Sequence, residues 1–249
     1  MRRFGLIGYP LSHSFSAGYF AKKFQDEHIP DTVYENFSIE SIELFPDLLK
    51  NHPDFAGLNV TIPYKEKVMP YLDEINEAAQ AIGAVNTIRF VKNNGGKPKL
   101  IGYNTDVYGF ENSISPLLTE KHKNALILGT GGASKAIKYI LKKRGISFVS
   151  ASIEELKDNE IRYEAIDKAL IDSHLVIINA TPLGTFPKVD TCPSIPYEFI
   201  SKDHVLFDLV YNPEETLFMK KGKAQGASTI NGLKMLHMQA EKAWEIWNS

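Results

Sequence analysis

A chain of 249 residues, 43% hydrophobic and 23% charged, is long enough for one large or two modest globular domains. Its formal net charge of -2 argues against nucleic acid or a membrane surface as the main partner, and the short apolar patch after Arg2 and Arg3 is cut by Pro10 before it could form a signal-peptide core or a membrane span. The single Cys192 forms no internal disulfide and has no metal-ligand cluster near it, so a metal-free cytoplasmic enzyme or binding protein is expected.

Residues 3–7 read as a first strand, followed by the polar loop Gly8-Tyr9-Pro10-Leu11-Ser12-His13-Ser14-Phe15-Ser16. Phe20 and Phe24, four apart, then mark a helix for which Ser16 is placed as N-cap, with Ser14 just outside it. The two hydroxyls and the free amides of the first turn either make a site for a small carboxylate or serve capping alone. His13 reads as a hydrogen-bonded turn residue or a catalyst. Residues 34–37 suit a second strand, and 41–50 a helix with Ile42, Phe45 and Leu49 at helical spacing.

Residues 55–60 form a largely apolar strand that runs into Thr61-Ile62-Pro63-Tyr64-Lys65. Pro63 suits the first position of a new helix, which puts Lys65 at the strand's carboxyl end, where open α/β sheets hold their ligands. Lys65 is therefore a candidate catalytic amine; the alternative is a solvated lysine in the polar run with Glu66 and Lys67. Gly83 closes the next helical pattern, residues 84–91 read as a strand, and Asn93-Asn94-Gly95-Gly96 turns the chain into a partner strand at 99–103. Asn86 either faces water from that strand or aims at a ligand. In Asn104-Thr105-Asp106, either Thr105 or Asp106 can cap the following helix. Asp106 is also a plausible proton-transfer partner for Lys65, since a lysine and a carboxylate hold each other in position and in charged form.

Residues 124–128 are a buried-strand run, followed directly by Gly129-Thr130-Gly131-Gly132-Ala133-Ser134 and a helix over 136–143. In a dinucleotide fold Gly129 permits the tight turn, Gly131 lets the backbone approach the pyrophosphate, and a small third residue, here Ser134, allows close packing of helix on strand. A second strand at 146–149 ends in Ser150-Ala151-Ser152, where the adenosine ribose should lie. Further apolar strands at 175–178 and 205–210 end in Asn179-Ala180-Thr181-Pro182-Leu183-Gly184 and Tyr211-Asn212-Pro213. A helix over 233–247 carries Leu233, Leu236, Ala240, Ala243 and Trp247 on one stripe, with Gln239 beside it. The β-α-β alternation implies an α/β protein with mainly parallel sheets.

Taken together, these segments resemble the shikimate dehydrogenase family from end to end. The motifs are Ser14 and Ser16, Asn59-Val60-Thr61-Ile62-Pro63-Tyr64-Lys65, Gly83-Ala84-Val85-Asn86-Thr87, Asn104-Thr105-Asp106, the glycine turn, Asn179 to Gly184, Asp208-Leu209-Val210-Tyr211-Asn212-Pro213, and Gly232-Leu233 with Gln239. The resemblance implies a substrate domain over 1–104 and 233–249, with a mainly parallel mixed sheet, and an inserted Rossmann-type domain over 105–232. It implies a catalytic pair at Lys65 and Asp106, carboxylate-binding groups at Ser14, Ser16 and Tyr211, and ring-hydroxyl contacts at Thr61, Asn86 and Gln239. Cofactor contacts fall on Gly129, Gly131, Gly132, Ala133, Ser150, Ser152, Thr181 and Gly232.

The activity it implies is reversible, NADP(H)-dependent reduction of 3-dehydroshikimate to shikimate by a cytoplasmic monomer or homodimer. The alternatives are a quinate/shikimate dehydrogenase with relaxed cofactor use, a folate-linked dehydrogenase of similar plan, and a non-catalytic ligand sensor on the same fold. The chain departs from the family at Ala17, Phe20 and Ala21 in the first helix, at Asn231, and at Ser150-Ala151-Ser152, where NADP-using members commonly carry Asn-Arg-Thr. With no carboxylate at that place NADP is expected to be preferred, by a reduced margin, and NAD(H) stays open. Lys157 or Arg144 would add positive charge there, against Glu154 and Glu155.

Overall fold

The computed structural model describes residues 1–11, 14–93 and 96–249; the expectations placed on His13 and on Asn94-Gly95 at the centre of the hairpin turn lie outside the described residues. The chain divides into two compact units, Met1–Thr105 with Ala240–Ser249, and Asp106–Gln239.

In the first unit β1 (Arg2–Gly8), α1 (Phe15–Asp26), β2 (Thr32–Ser38), α2 (Phe45–Asn51), β3 (Phe55–Val60), β4 (Glu74–Ile75), α3 (Glu77–Ile82), β5 (Thr87–Val91) and β6 (Lys99–Tyr103) follow in order. They build a mixed sheet of order β2-β1-β3-β5-β6-β4, in which β1 is parallel to both its neighbours and β5 antiparallel to both of its own. Alternate side chains leave opposite faces of a strand. Ile7 accordingly enters a core with Leu58, Val60, Tyr64 and Val68, while Phe4 and Leu6 meet Phe20, Phe24, Ala240, Ala243 and Trp247 on the other face. Gly57 admits this second layer: an added Cβ would run into the Trp247 indole, whose Nε1 donates to the Ile88 carbonyl at 3.0 Å.

Three local expectations are corrected. The N-cap of α1 is Ser14, whose Oγ accepts from the Ala17 amide at 3.4 Å, and Ser16 lies inside the first turn. The segment expected as a helix from 41 opens as a 3-10 turn, Ile42–Leu44, before α2. No α-helix starts at Pro63. The Lys65 carbonyl, which a helix would need for its own ladder, accepts instead from the Val85 amide at 2.7 Å, and Met69 bonds back three residues to Glu66.

The second unit contains α4 (Asp106–Ile114), β7 (Asn124–Leu128), α5 (Gly132–Lys143), β8 (Ser147–Ala151), β9 (Glu160–Ile161), α6 (Lys168–Ser173), β10 (Val176–Asn179), β11 (Val205–Asp208), α7 (Leu217–Ala224) and β12 (Ser228–Ile230); α8 (Leu233–Asn248) contributes to both units. Every strand pair is parallel, in the order β12-β11-β10-β7-β8-β9. Counted within the unit, this is the doubly wound dinucleotide-binding order. Leu126 and Leu128 face Ile171, Ile177 and Phe218, and Ala125 and Ile127 face Phe110, Ile137 and Ile140. Helix α5 begins at Gly132, four residues earlier than its sequence pattern: Gly131, still extended at ψ 178°, is its N-cap, and Ser134 turns its hydroxyl back to the Gly131 carbonyl at 2.6 Å. Among the described residues, no helix is long and apolar enough to cross a membrane.

Candidate active site

The carboxyl ends of β1 and β3 lie side by side. Thr61 donates its amide to the Ile7 carbonyl at 2.9 Å and Tyr9 donates to the Ile62 carbonyl at 3.1 Å. Tyr64 and Val68, both buried, pin the following turn to the core, and the Tyr64 hydroxyl donates to the Ile39 carbonyl at 2.6 Å. Lys65, between these anchors, is left half-buried at the rim. Asn86 neither faces water nor lies within a strand: it sits just ahead of β5, 3% exposed, and its carbonyl bonds Val60 at the end of β3.

A buried chain of polar groups connects several of the candidate residues. Burial raises the pKa of the Tyr34 phenol, with the Ser16 hydroxyl as a smaller opposing influence, and the Tyr34 hydroxyl donates to Asn59 Oδ1 at 2.8 Å. The Asn59 amide donates to the Asn86 carbonyl and to Thr87 Oγ1, both at 3.3 Å. Thr87 Oγ1 in turn donates to Asn86 Oδ1 at 3.1 Å, which also takes the Thr105 amide at 2.7 Å. Thr105 immediately precedes Asp106, the buried first residue of α4, where a carboxylate suits the helix's positive end. Ser14, Ser16, Thr61, Lys65 and Asn86 thus belong to the first unit, while Asp106, Tyr211 and Gln239 belong to the second. Tyr211 follows β11 and is 38% exposed; Gln239 packs its Cβ against Gly109 of α4.

In the second unit a cavity of about 920 Å³ opens at the carboxyl ends of β7, β8 and β10, lined by Gly129, Gly131, Ser152, Arg162, Thr181 and Leu183 among others. Gly129 adopts φ +100°, and an added Cβ would come within 2.9 Å of Thr181 Cγ2, so only glycine fits the turn. At Gly131 and Gly132 an added Cβ would meet nothing within 4 Å, which leaves bare backbone at the start of α5, a helix with no acid in its first turn. Free amides, a positive helix end and a cavity of dinucleotide size fit a pyrophosphate. Ala133 continues that first turn. Gly232 packs beyond β11 against the Leu209 carbonyl, leaving no room for a side chain.

The wall opposite the glycine turn is held from below. Asp208, fully buried at the end of β11, accepts from Asn179 Nδ2 at 2.9 Å, the Val210 amide at 3.0 Å and Thr216 Oγ1 at 2.5 Å. Burial nevertheless pushes its carboxyl up to about pKa 6, against the opposing pull of these donors. Asn179 Oδ1 then receives the Thr181 amide at 3.0 Å and hydroxyl at 2.6 Å, which fixes Thr181 against Gly129. Among the described residues no three His, Cys, Asp or Glu side chains gather as a metal site.

The family model for the shikimate dehydrogenase substrate binding domain matches residues 6–88. The chain is 38% identical over 258 residues to the shikimate dehydrogenase (NADP(+)) of Methanococcus aeolicus, an alignment that covers 98% of this chain and 90% of the relative. It belongs to the shikimate dehydrogenase family. A solved shikimate dehydrogenase from Aquifex aeolicus superposes with a TM-score of 0.86 at 34% identity, covering all of this chain and 92% of that one. The Thermus thermophilus family member, solved in complex with NADP(H) and shikimate, gives a TM-score of 0.80 at 29% identity, over 99% and 93% of the two chains.

Set beside the family's usual Asn-Arg-Thr, the three residues Ser150-Ala151-Ser152 divide in an unexpected way. Strand β8 runs on through Ala151, so Ser150 is an interior strand residue: it is 0% exposed, its hydroxyl has no hydrogen-bond partner among the described residues, and it does not line the cavity. Ser152 does line it, with its Oγ accepting from the Glu154 amide at 3.1 Å. Arg144 is turned away to Glu111 and Ser115, and Lys157 is not among the lining residues. Sequence reading missed Arg162, because β9 is a two-residue strand with no pattern of its own. It also missed the role of Asp208, for which an acid closing an apolar strand was the available signal.

Proposed function

We propose that this protein is a shikimate dehydrogenase that reversibly reduces 3-dehydroshikimate to shikimate with NADP(H). Residues 1–104 and 233–249 hold the substrate and residues 105–232 the dinucleotide. What carries this reading is the full-length likeness to shikimate dehydrogenases in a chain that has both Lys65 and Asp106 at the matching motifs.

Ser14, Ser16 and Tyr211 take the substrate carboxylate, which suits hydroxyl donors beside a helix N-terminus. Thr61, Asn86 and Gln239 take the ring hydroxyls. Bound NADP(H) supplies the hydride chemistry at the carbon that bears the reacting oxygen. Lys65 gives a proton to that oxygen, or stabilises the charge developing on it, and Asp106 holds the ammonium in position and in its charged form. The residues that would hold the dinucleotide are Gly129, Gly131, Gly132 and Ala133 at the pyrophosphate, Ser152 at the ribose, and Thr181 and Gly232 at the opposite wall. Ser150, enclosed in β8, supports the strand and does not touch the ribose.

NAD(H) use is a second reading, favoured by Glu154 and Glu164, which line the same cavity and suit a ribose with a free hydroxyl. The active species is a monomer or homodimer working in the cytoplasm. The test mixes purified protein with shikimate and each cofactor in turn, following reduced nicotinamide by absorbance, with quinate in parallel. No reduction with shikimate under either cofactor would overturn the assignment, and faster turnover of quinate would move it to the sister activity.

A further inference from the structure

We infer that Arg162 sets the cofactor preference, by binding the phosphate on the adenosine 2′ position in place of the arginine that Ser150-Ala151-Ser152 lacks. The inference rests on the reading of the second unit as an NADP(H) site.

Register provides the first support. Strands β8 and β9 run parallel, with Ser150 beside Glu160 and Ala151 beside Ile161, and the Ser152 amide donates to the Ile161 carbonyl at 2.9 Å. The next step of that register puts Arg162 beside Ser152, both at the carboxyl edge, where the second strand of a dinucleotide-binding sheet meets the adenosine ribose. A cation thus reaches the ribose corner from the neighbouring strand, ten residues further along the chain than Ser152.

Direction provides the second. Arg162 Nη1 donates to the Glu154 carbonyl at 2.5 Å, so the guanidinium crosses from β9 to the loop that follows Ser152. That loop lines the cavity through Ser152, Ile153 and Glu154, and Arg162 lines it too. Among the described residues, no carboxylate lies within ion-pair distance of Arg162, and it is the one cation on the cavity wall. A guanidinium has five donors in a planar fork; with one given to Glu154, the remainder match phosphate oxygens.

Charge sets the margin. Glu154 and Glu164 line the same wall and oppose a phosphate, so Arg162 works against two acids and the preference for NADP is finite. Removing a charge-assisted contact to phosphate should weaken binding roughly 10- to 100-fold. A ligand without the 2′ phosphate has nothing to lose there.

The experiment is titration calorimetry on the full chain with NADP+, NAD+, adenosine 2′,5′-bisphosphate and 5′-AMP, for the wild type, Arg162→Ala, Arg162→Lys and Arg162→Glu. Arg162→Ala should weaken NADP+ and the bisphosphate by that factor, with NAD+ and 5′-AMP changing less than about twofold. Arg162→Lys should recover part of the loss, and Arg162→Glu should leave NAD+ the tighter dinucleotide. Unchanged NADP+ affinity in Arg162→Ala overturns the inference alone, and equal losses for all four ligands would reduce Arg162 to a brace for the Glu154 loop. A wild type that binds neither dinucleotide would overturn the inference together with the reading on which it rests.

Discussion

Asp208→Asn should change how the protein's stability depends on pH. The wild-type carboxyl is fully buried and titrates near pKa 6, with burial as the first cause. An aspartate in the unfolded chain titrates near 3.9. Between these values the folded state binds the proton more tightly than the unfolded state, so stability is highest below about pH 4 and falls as pH rises through about 6. A gap of about two pH units at ~1.4 kcal/mol each makes this one group cost roughly 3 kcal/mol at neutral pH, relative to its protonated form. Asparagine keeps an oxygen for Asn179 and Val210 and cannot ionise. Its amide would face Thr216 Oγ1, which has a lone pair to spare beside the Met219 amide it already caps. The assay is urea unfolding of wild type and Asp208→Asn at intervals from about pH 4 to pH 8. The difference between the two profiles should change by roughly 3 kcal/mol across the window, in favour of the variant at high pH. Parallel profiles would refute the reasoning, because they would mean that Asp208 titrates alike in the folded and unfolded chains. Asp208→Ala is the harsher test: it leaves three buried donors without their acceptor, at roughly 1–3 kcal/mol each, and should loosen Thr181 and weaken dinucleotide binding.

Lys65→Ala is expected to lower turnover by ~10²–10⁴ with an unchanged melting temperature, and Asp106→Ala to do similar damage. In the double variant the loss should fall well short of the product of the two, and multiplicative losses would mean that they work independently. Ser14→Ala combined with Ser16→Ala should raise KM for shikimate far more than KM for the nicotinamide cofactor; equal changes would assign the serines to structure alone. Tyr34→Phe, which removes the hydroxyl that donates to Asn59 beside Ser16, should shift the same constant in the same direction with kcat little changed, whereas a purely structural tyrosine would alter the melting temperature and leave KM as it was. Gly129→Ala should cost roughly 1–3 kcal/mol, from a positive φ and a Cβ against Thr181, and should impair dinucleotide binding more than shikimate binding in direct titrations.

Local chemistry made much of this protein legible from its residues. Apolar runs at 55–60 and 124–128 read as buried strands, because a strand covered on both faces has no polar alternation to hide it, and both are strands with those bounds. Gly83 ends its helix in the left-handed conformation that only glycine adopts freely, and the turn after β7 is specified by Gly129 for the same reason. The α/β class and the family followed from motifs whose order along the chain is itself information. Tertiary structure decided what depends on partners distant in sequence. Pro63 starts no helix because Val85 takes the Lys65 carbonyl, and Asn86 is enclosed because Thr87 and Thr105 both bond its side chain. Ser150, which looked open to a ligand from its place in the sequence, is sealed inside β8. Arg162 comes beside Ser152 through the parallel pairing of the two-residue β9 with the end of β8, and no local pattern can announce such a pair, because its hydrogen bonds are made between segments that sequence alone does not bring together.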